Sequence, residues 1–174
     1  MSFYINPKRV NSKKNILEFL LFNLKHLLIK PFVLLGFKNI DYFYIHGEET
    51  GNKVFLGNNV AINDALFNVS SGNIEIGDNT ILTHEVHIIT GFHKFYNGKL
   101  AKLSNDKNAP KEVPVSGFDI KIGTGCFIGS RVTILKGVTI GDNVIIASNS
   151  VVTKNIPNNV FVAGIPAKII SSNI

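Results

Sequence analysis

Residues 122–156 read IGTGCF IGSRVT ILKGVT IGDNVI IASNSV VTKNI. An aliphatic side chain opens every block of six: Ile122, Ile128, Ile134, Ile140, Ile146 and Val152. Four places later stands a small or β-branched residue: Cys126, Val132, Val138, Val144, Ser150 and Ile156. Six does not fit the 3.6-residue period of a helix. It suits short strands joined by tight corners, each turning the chain by a third of a circle. Such periodicity marks a parallel β-helix, whose stacked coils bury one continuous core. The same register runs upstream through Ile76, Leu82 and Ile88, with Thr80, Val86 and Phe92 in the fourth-after slot. The lone cysteine, Cys126, falls in an inward slot and reads as buried filler rather than a nucleophile.

Working outward, the coils are expected to begin near Val54. The register slips by two residues between Ile62 and Ile76, through FNVSSGN at 67–73. After His93 the pattern stops, and residues 94–119 form a polar loop with Pro110 and Pro114. Loops of this length inside compact domains tend to be functional or disordered. The repeat returns at Ile120, and residues 157–174 leave the helix axis as a cap over the open end. This divides the chain into an N-terminal arm, 1–50, and a β-helix domain, 51–174. In the arm, Ile16, Leu20, Leu24 and Leu27 recur at helical spacing and predict a helix over about residues 15–30, stopped by Pro31. Glu18, Asn23, Lys25, His26 and Lys30 interrupt it too often for a membrane span. Its apolar face and flanking lysines fit either packing on protein or peripheral contact with a membrane surface. No small-residue cleavage site follows, so the segment does not read as a signal peptide.

Eighteen Lys and Arg against twelve Asp and Glu give a net charge of +6, which favours an anionic partner. The basic residues are scattered and form no nucleic-acid motif, so no nucleic acid is expected. A single cysteine fits a reducing cytosol. Of the five histidines, His26 and His46 read as structural or surface residues. His84 follows an opener by two and should face outward, and His87 and His93 close successive hexads and should lie at corners. His93 stands where the coil gives way to the loop, a suitable place for a neutral imidazole acting as general base. Three nitrogens from His84, His87 and His93 are an alternative zinc set, set aside in favour of no metal.

The hexads, the segment IGDNTILTHEVHIITGFH ending at His93, and the tail AGIPAK at 163–168 together resemble the hexapeptide-repeat acyltransferases. The likeness is greatest to maltose and galactoside O-acetyltransferases and to O-acetyltransferases of bacterial surface polysaccharides. It spans about residues 58–170. The resemblance implies a left-handed parallel β-helix, an exception to the usual crossover hand. It also implies a homotrimer with acetyl-CoA in a groove between neighbouring subunits. His93 aligns with the family's catalytic histidine, with Glu85 or a backbone carbonyl as the group that orients it. Asn63 aligns with an acceptor-contacting asparagine, and Ser71, beside Ser70, with an acidic acceptor residue. His84 and Glu85 join this acceptor set. Ala61 replaces an aromatic residue of those relatives, so the acceptor should differ from a simple galactoside or maltose. Ser130, Ser148, Thr153, Lys154, Gly164 and Lys168 match positions lining the cofactor groove, with Gly129 allowing close approach.

These features favour an acetyl-CoA-dependent O-acetyltransferase acting on a bacterial glycan or its precursor. The expected setting is the cytoplasm, with the arm as a contact for the inner face of the membrane. Two alternatives are N-acetylation of a nucleotide-linked amino sugar and a non-catalytic β-helix scaffold.

Overall fold

The computed structural model describes residues 44–172. The helix expected over residues 15–30, and with it any membrane contact, lies outside the described residues. Within them the chain winds through five coils, each visiting three faces of a prism in the same order.

Coil one holds β1 (Tyr44–His46) and β2 (Val54–Leu56), and coil two holds β3 (Leu66–Asn68), β4 (Ile74–Ile76) and β5 (Ile81–Leu82). Coil three opens with β6 (His87–Ile89). It is then interrupted by the inserted hairpin β7 (Phe95–Tyr96) and β8 (Lys99–Leu100), and resumes with β9 (Ile120–Ile122) and β10 (Phe127–Ile128). Coil four holds β11 (Thr133–Leu135), β12 (Thr139–Ile140) and β13 (Ile145–Ile146). Coil five holds β14 (Val151–Val152) and β15 (Val160–Ala163), after which β16 (Lys168–Ser172) folds back. Face one is β1-β3-β6-β11-β14, face two is β2-β4-β9-β12, and face three is β5-β10-β13-β15-β16. Every pairing between coils is parallel, and only β15–β16 and β7–β8 are antiparallel among the named strands.

The register explains the sequence period. Thr133 pairs with Val151, Lys121 with Thr139 and Phe127 with Ile145, each eighteen residues on, or three hexads per coil. Val54 pairs with Ile74, two residues more than three hexads, which is where the register slips. The nine openers from Ile76 to Val152 are no more than 3% exposed and stack into a single core. Each strand is short and alternates, so Ile134 points inward while Thr133 and Leu135 point out.

Corners are made by residues that tolerate left-handed backbone. Between faces two and three, Asn59, Asn79, Asn143 and Asn159 take φ of 53–57°, with Gly125 in the same slot of coil three. Asparagine accepts this conformation more readily than most residues. The side chains also ladder: Asn59 Nδ2 donates to Asn79 Oδ1 at 2.9 Å, and Asn143 Nδ2 to Asn159 Oδ1 at 3.1 Å.

Two expectations need correction. The first rung lies at Tyr44–His46, well before Val54, because Ile45 alone supplies the inward chain and YIH carries no hexad signature. His87 is not at a corner: it occupies an outward position of β6, immediately before buried Ile88.

Candidate active site

The inserted loop leaves coil three at the corner between faces one and two, directly after His93. Its two limbs are tied at that point. Lys94 N–H donates to the Glu112 carbonyl at 2.8 Å, and Ala101 N–H to the Lys94 carbonyl at 2.8 Å. The returning limb is pinned to three coils. Asn52 Nδ2 donates to the Val115 carbonyl, Phe118 N–H to the Ser71 carbonyl, and Gly137 N–H to the Phe118 carbonyl. Phe118 meets Phe92 edge to face, with centroids 4.8 Å apart, and Lys136 Nζ sits 3.2 Å over the Phe92 ring. Both ends of the insertion are therefore clasped beside His93.

This framing delivers Glu112 to the histidine. His93 Nδ1 lies 2.7 Å from Glu112 Oε1. Partial burial pulls the Glu112 carboxyl upward, but hydrogen bonds with His93 and Lys102 outweigh it and hold the group below the ordinary glutamate value. An ionised carboxylate only accepts, so the neutral ring must place its proton on Nδ1. The other nitrogen, Nε2, then carries a free lone pair on a side chain that is 58% exposed. Glu85, offered above as the orienting group, is instead engaged with Arg131 Nε at 2.7 Å. Glu112 was missed because nothing periodic marks it. Its only signal was an acidic residue in a lysine-rich insertion.

The other candidate residues fall into two groups. Thr153 and Lys154 lie exposed at the same corner as His93, two coils on. Ser71 belongs to that corner too, but it is fully buried and its hydroxyl lacks a partner among the described residues. That removes Ser71 from the acceptor-contacting set, because its side chain faces the core. Asn63, His84, Glu85, Ser130, Ser148 and Gly164 stack instead at the corner between faces three and one. There Asn63 Nδ2 donates to the Leu82 carbonyl at 2.5 Å, and Ser130 Oγ to Thr83 Oγ1 at 3.1 Å. Asp64 Oδ1 accepts Glu85 N–H at 2.8 Å and lies 3.5 Å from His84 Nδ1. Asn149 N–H donates to the Ser130 carbonyl, which sets Ser148 one coil beyond Ser130. Gly129 serves this stacking, since a Cβ there would lie 2.5 Å from Ser148 N. Gly164 is required for its backbone, φ 104°, and its N–H donates to Ser150 Oγ. Lys168 is exposed on β16.

His93 and the serine-bearing corner are thus not brought together within one chain, because the width of face one separates them. His84, on one corner, His87, on the face, and His93, on the other corner, do not converge either. No group of three His, Cys, Asp or Glu suited to a metal ion occurs among the described residues. An apolar groove over face two, lined by Phe55, Ile76, Lys121 and Thr139, contains none of the candidate residues.

The protein is similar to known proteins in sequence and in fold. Residues 119–154 match the family model described as bacterial transferase hexapeptide (six repeats). The galactoside O-acetyltransferase of Escherichia coli K12 is 35% identical over 120 residues, covering 69% of this chain and 54% of that protein. The putative lipopolysaccharide biosynthesis O-acetyl transferase WbbJ of the same organism is 33% identical, covering 67% of this chain and 59% of that one. A hexapeptide-repeat acetyltransferase of Vibrio cholerae, solved with acetyl coenzyme A, superposes with a TM-score of 0.59 at 27% identity, covering 76% of this chain and 65% of that chain. The chain thus spans little more than half the length of the two curated relatives.

Proposed function

Because this chain belongs to the hexapeptide-repeat acyltransferase superfamily, whose fold is the left-handed parallel β-helix, we propose that it transfers an acetyl group from acetyl-CoA to a sugar hydroxyl. The observation that carries this reading is the His93–Glu112 pair at the break in the repeat, on a histidine side chain more than half exposed. Nε2 takes the proton of the acceptor hydroxyl as its oxygen attacks the thioester carbonyl. The new C–O bond forms, the C–S bond breaks, and the proton passes from His93 to the departing thiolate. Nδ1–H stays with Glu112, which stabilises the imidazolium formed in between. Backbone N–H groups of a facing coil are the candidate donors to the tetrahedral oxyanion. Direct transfer needs no covalent enzyme intermediate, since one groove holds both reactants.

Acetyl-CoA enters as donor substrate. Ser130, Ser148, Thr153, Lys154, Gly164 and Lys168 are the residues proposed to hold it, the lysines offsetting its phosphates. They divide between two corners separated by a face about 15 Å wide, taking four to five residues at the rise of a strand. A donor touching both sets either lies across face one of a single copy or bridges two copies; the second arrangement is the one proposed, a homotrimer with the site shared between neighbours. The acceptor is proposed to be a bacterial surface glycan or its precursor, recognised with Asn63, His84 and Glu85. No described helix is long and apolar enough to cross a membrane. A cytosolic setting is proposed from the need for acetyl-CoA, with residues 15–30 as the candidate contact with the inner membrane face.

The test is release of free CoA thiol from acetyl-CoA in the presence of neutral glycans, acidic glycans and nucleotide-linked amino sugars. Turnover with glycans that falls by about 10²–10⁴-fold in His93→Ala is expected, the weight of general-base catalysis. Unchanged turnover in that variant overturns the mechanism. Transfer to amino sugars alone reassigns the protein to N-acetylation, and failure to bind acetyl-CoA by calorimetry favours a scaffold.

A further inference from the structure

We propose that Lys102 is a positioning residue for His93, acting through Glu112. The inference rests on His93 being the base of the transfer proposed above. Lys102 lies in the 3-10 turn Ala101–Leu103, which follows the inserted hairpin. Its Nζ is 3.4 Å from Glu112 Oε1, the same oxygen that holds His93 Nδ1 at 2.7 Å. Three segments therefore meet at one atom: the break in coil three, the turn, and the returning limb.

The backbone sets up this meeting. Ala101 is 4% exposed and its N–H is held by the Lys94 carbonyl, while Lys94 N–H is held by Glu112. The point from which Lys102 departs is fixed, although its side chain is half exposed. A glutamate near the surface has several rotamers open to it. An ammonium and an imidazole N–H sharing Oε1 select those that keep this oxygen beside the ring. The ammonium also helps keep Glu112 ionised, hence an acceptor only. Of the other charges nearby, Lys136 lies over Phe92, Asp106 accepts Tyr96 Oη–H and Asn108 N–H, and Lys111 makes no ion pair with Glu112. Lys94 makes no ion pair among the described residues. Lys102 is thus the cation that governs where the Glu112 carboxylate stands, and through it which ring nitrogen of His93 is free.

The test uses the full chain with ¹⁵N-labelled histidine, the His93 resonances identified by their loss in His93→Gln. In the wild-type protein the neutral ring should show the Nδ1–H tautomer. In Lys102→Met, and in Lys102→Gln as a second substitution, the Nε2–H form should appear beside it. The value of kcat should fall by about 2–5-fold, the weight of an exposed ion pair, with KM for acetyl-CoA unchanged. Lys102→Arg should restore both tautomer and rate. A wild-type tautomer pattern in folded Lys102→Met and Lys102→Gln overturns the proposal, whatever their rates. Retained activity in His93→Ala overturns instead the reading on which it rests.

Discussion

Glu112 reaches His93 only because two limbs of a loop close on the residue that follows the histidine. Replacing it by glutamine keeps the shape but allows the amide to present a donor to Nδ1, which stabilises the wrong tautomer. Glu112→Gln should lower kcat by about 10–100-fold, up to the lower limit of what general-base catalysis contributes because the base itself remains, with acetyl-CoA binding retained in calorimetry. The pH dependence has a definite sign. Glu112 is held below the ordinary value of 4.5. Its stabilising bond is therefore fully present above that pH and is lost as pH falls through the lower, folded value. The difference in thermal midpoint between wild type and Glu112→Gln should persist from neutral pH to about 5 and vanish in stronger acid. Cys126 bears on the assay itself. It is 1% exposed, burial raises its pKa, and its Sγ–H donates to the Gly141 carbonyl at 3.1 Å. A thiol reagent should leave it unmodified in the native protein and titrate it only in denaturant, so CoA thiol release is read without background. At this scale the sequence was readable for His93, whose place at the end of a hexad is a positional fact. It was silent on Glu112 and Lys102, whose contacts depend on how an aperiodic loop folds back. It misjudged Ser71, because a slipped register does not say which residue of the pair Ser70-Ser71 turns inward.

The coils were legible for a physical reason. A prism three hexads around must fill its interior with one aliphatic chain per face per turn, so the demand repeats in sequence as it does in space. The corner positions carry a second, weaker signal, since left-handed backbone selects asparagine and glycine. These two demands separate cleanly by mutation. Asn143 has φ 53° and donates to Asn159. Asn143→Ala should cost about 1–2 kcal/mol through the left-handed penalty and the lost bond, and Asn143→Gly less, since glycine removes the first term. Gly123 is not left-handed, yet a Cβ there would lie 2.5 Å from the Gly141 carbonyl oxygen. Gly123→Ala should cost about 1–3 kcal/mol because two coils must separate. Denaturant midpoints with unchanged m-values would confirm that these are effects on the folded coil; equal stability of Asn143→Ala and Asn143→Gly would show that the corner conformation contributes nothing. The first rung escaped the reading for the converse reason: at the end of the stack only one inward chain, Ile45, is needed, and one residue makes no period.

Across the whole molecule, the residues proposed for one reaction stand on two different edges of the prism, with face one between them. His93, Thr153 and Lys154 occupy one edge, and Asn63, Ser130 and Ser148 the other. If a working site joins the first edge of one copy to the second edge of its neighbour, defects on the two edges must complement each other. His93→Ala removes the base from the first edge. Ser148→Trp places a bulky ring on the exposed second edge and should block donor binding there. Each variant alone should be nearly inactive. Unfolded together in equal amounts and refolded, they should form mixed trimers in which a site is intact when Ser148→Trp supplies the first edge and His93→Ala the second. Random assortment makes that true at about a quarter of sites, so about a quarter of wild-type activity should return. A site contained within one chain predicts none, and that outcome, with trimers confirmed by light scattering, would overturn the shared-site reading while leaving the roles of His93 and Glu112 intact.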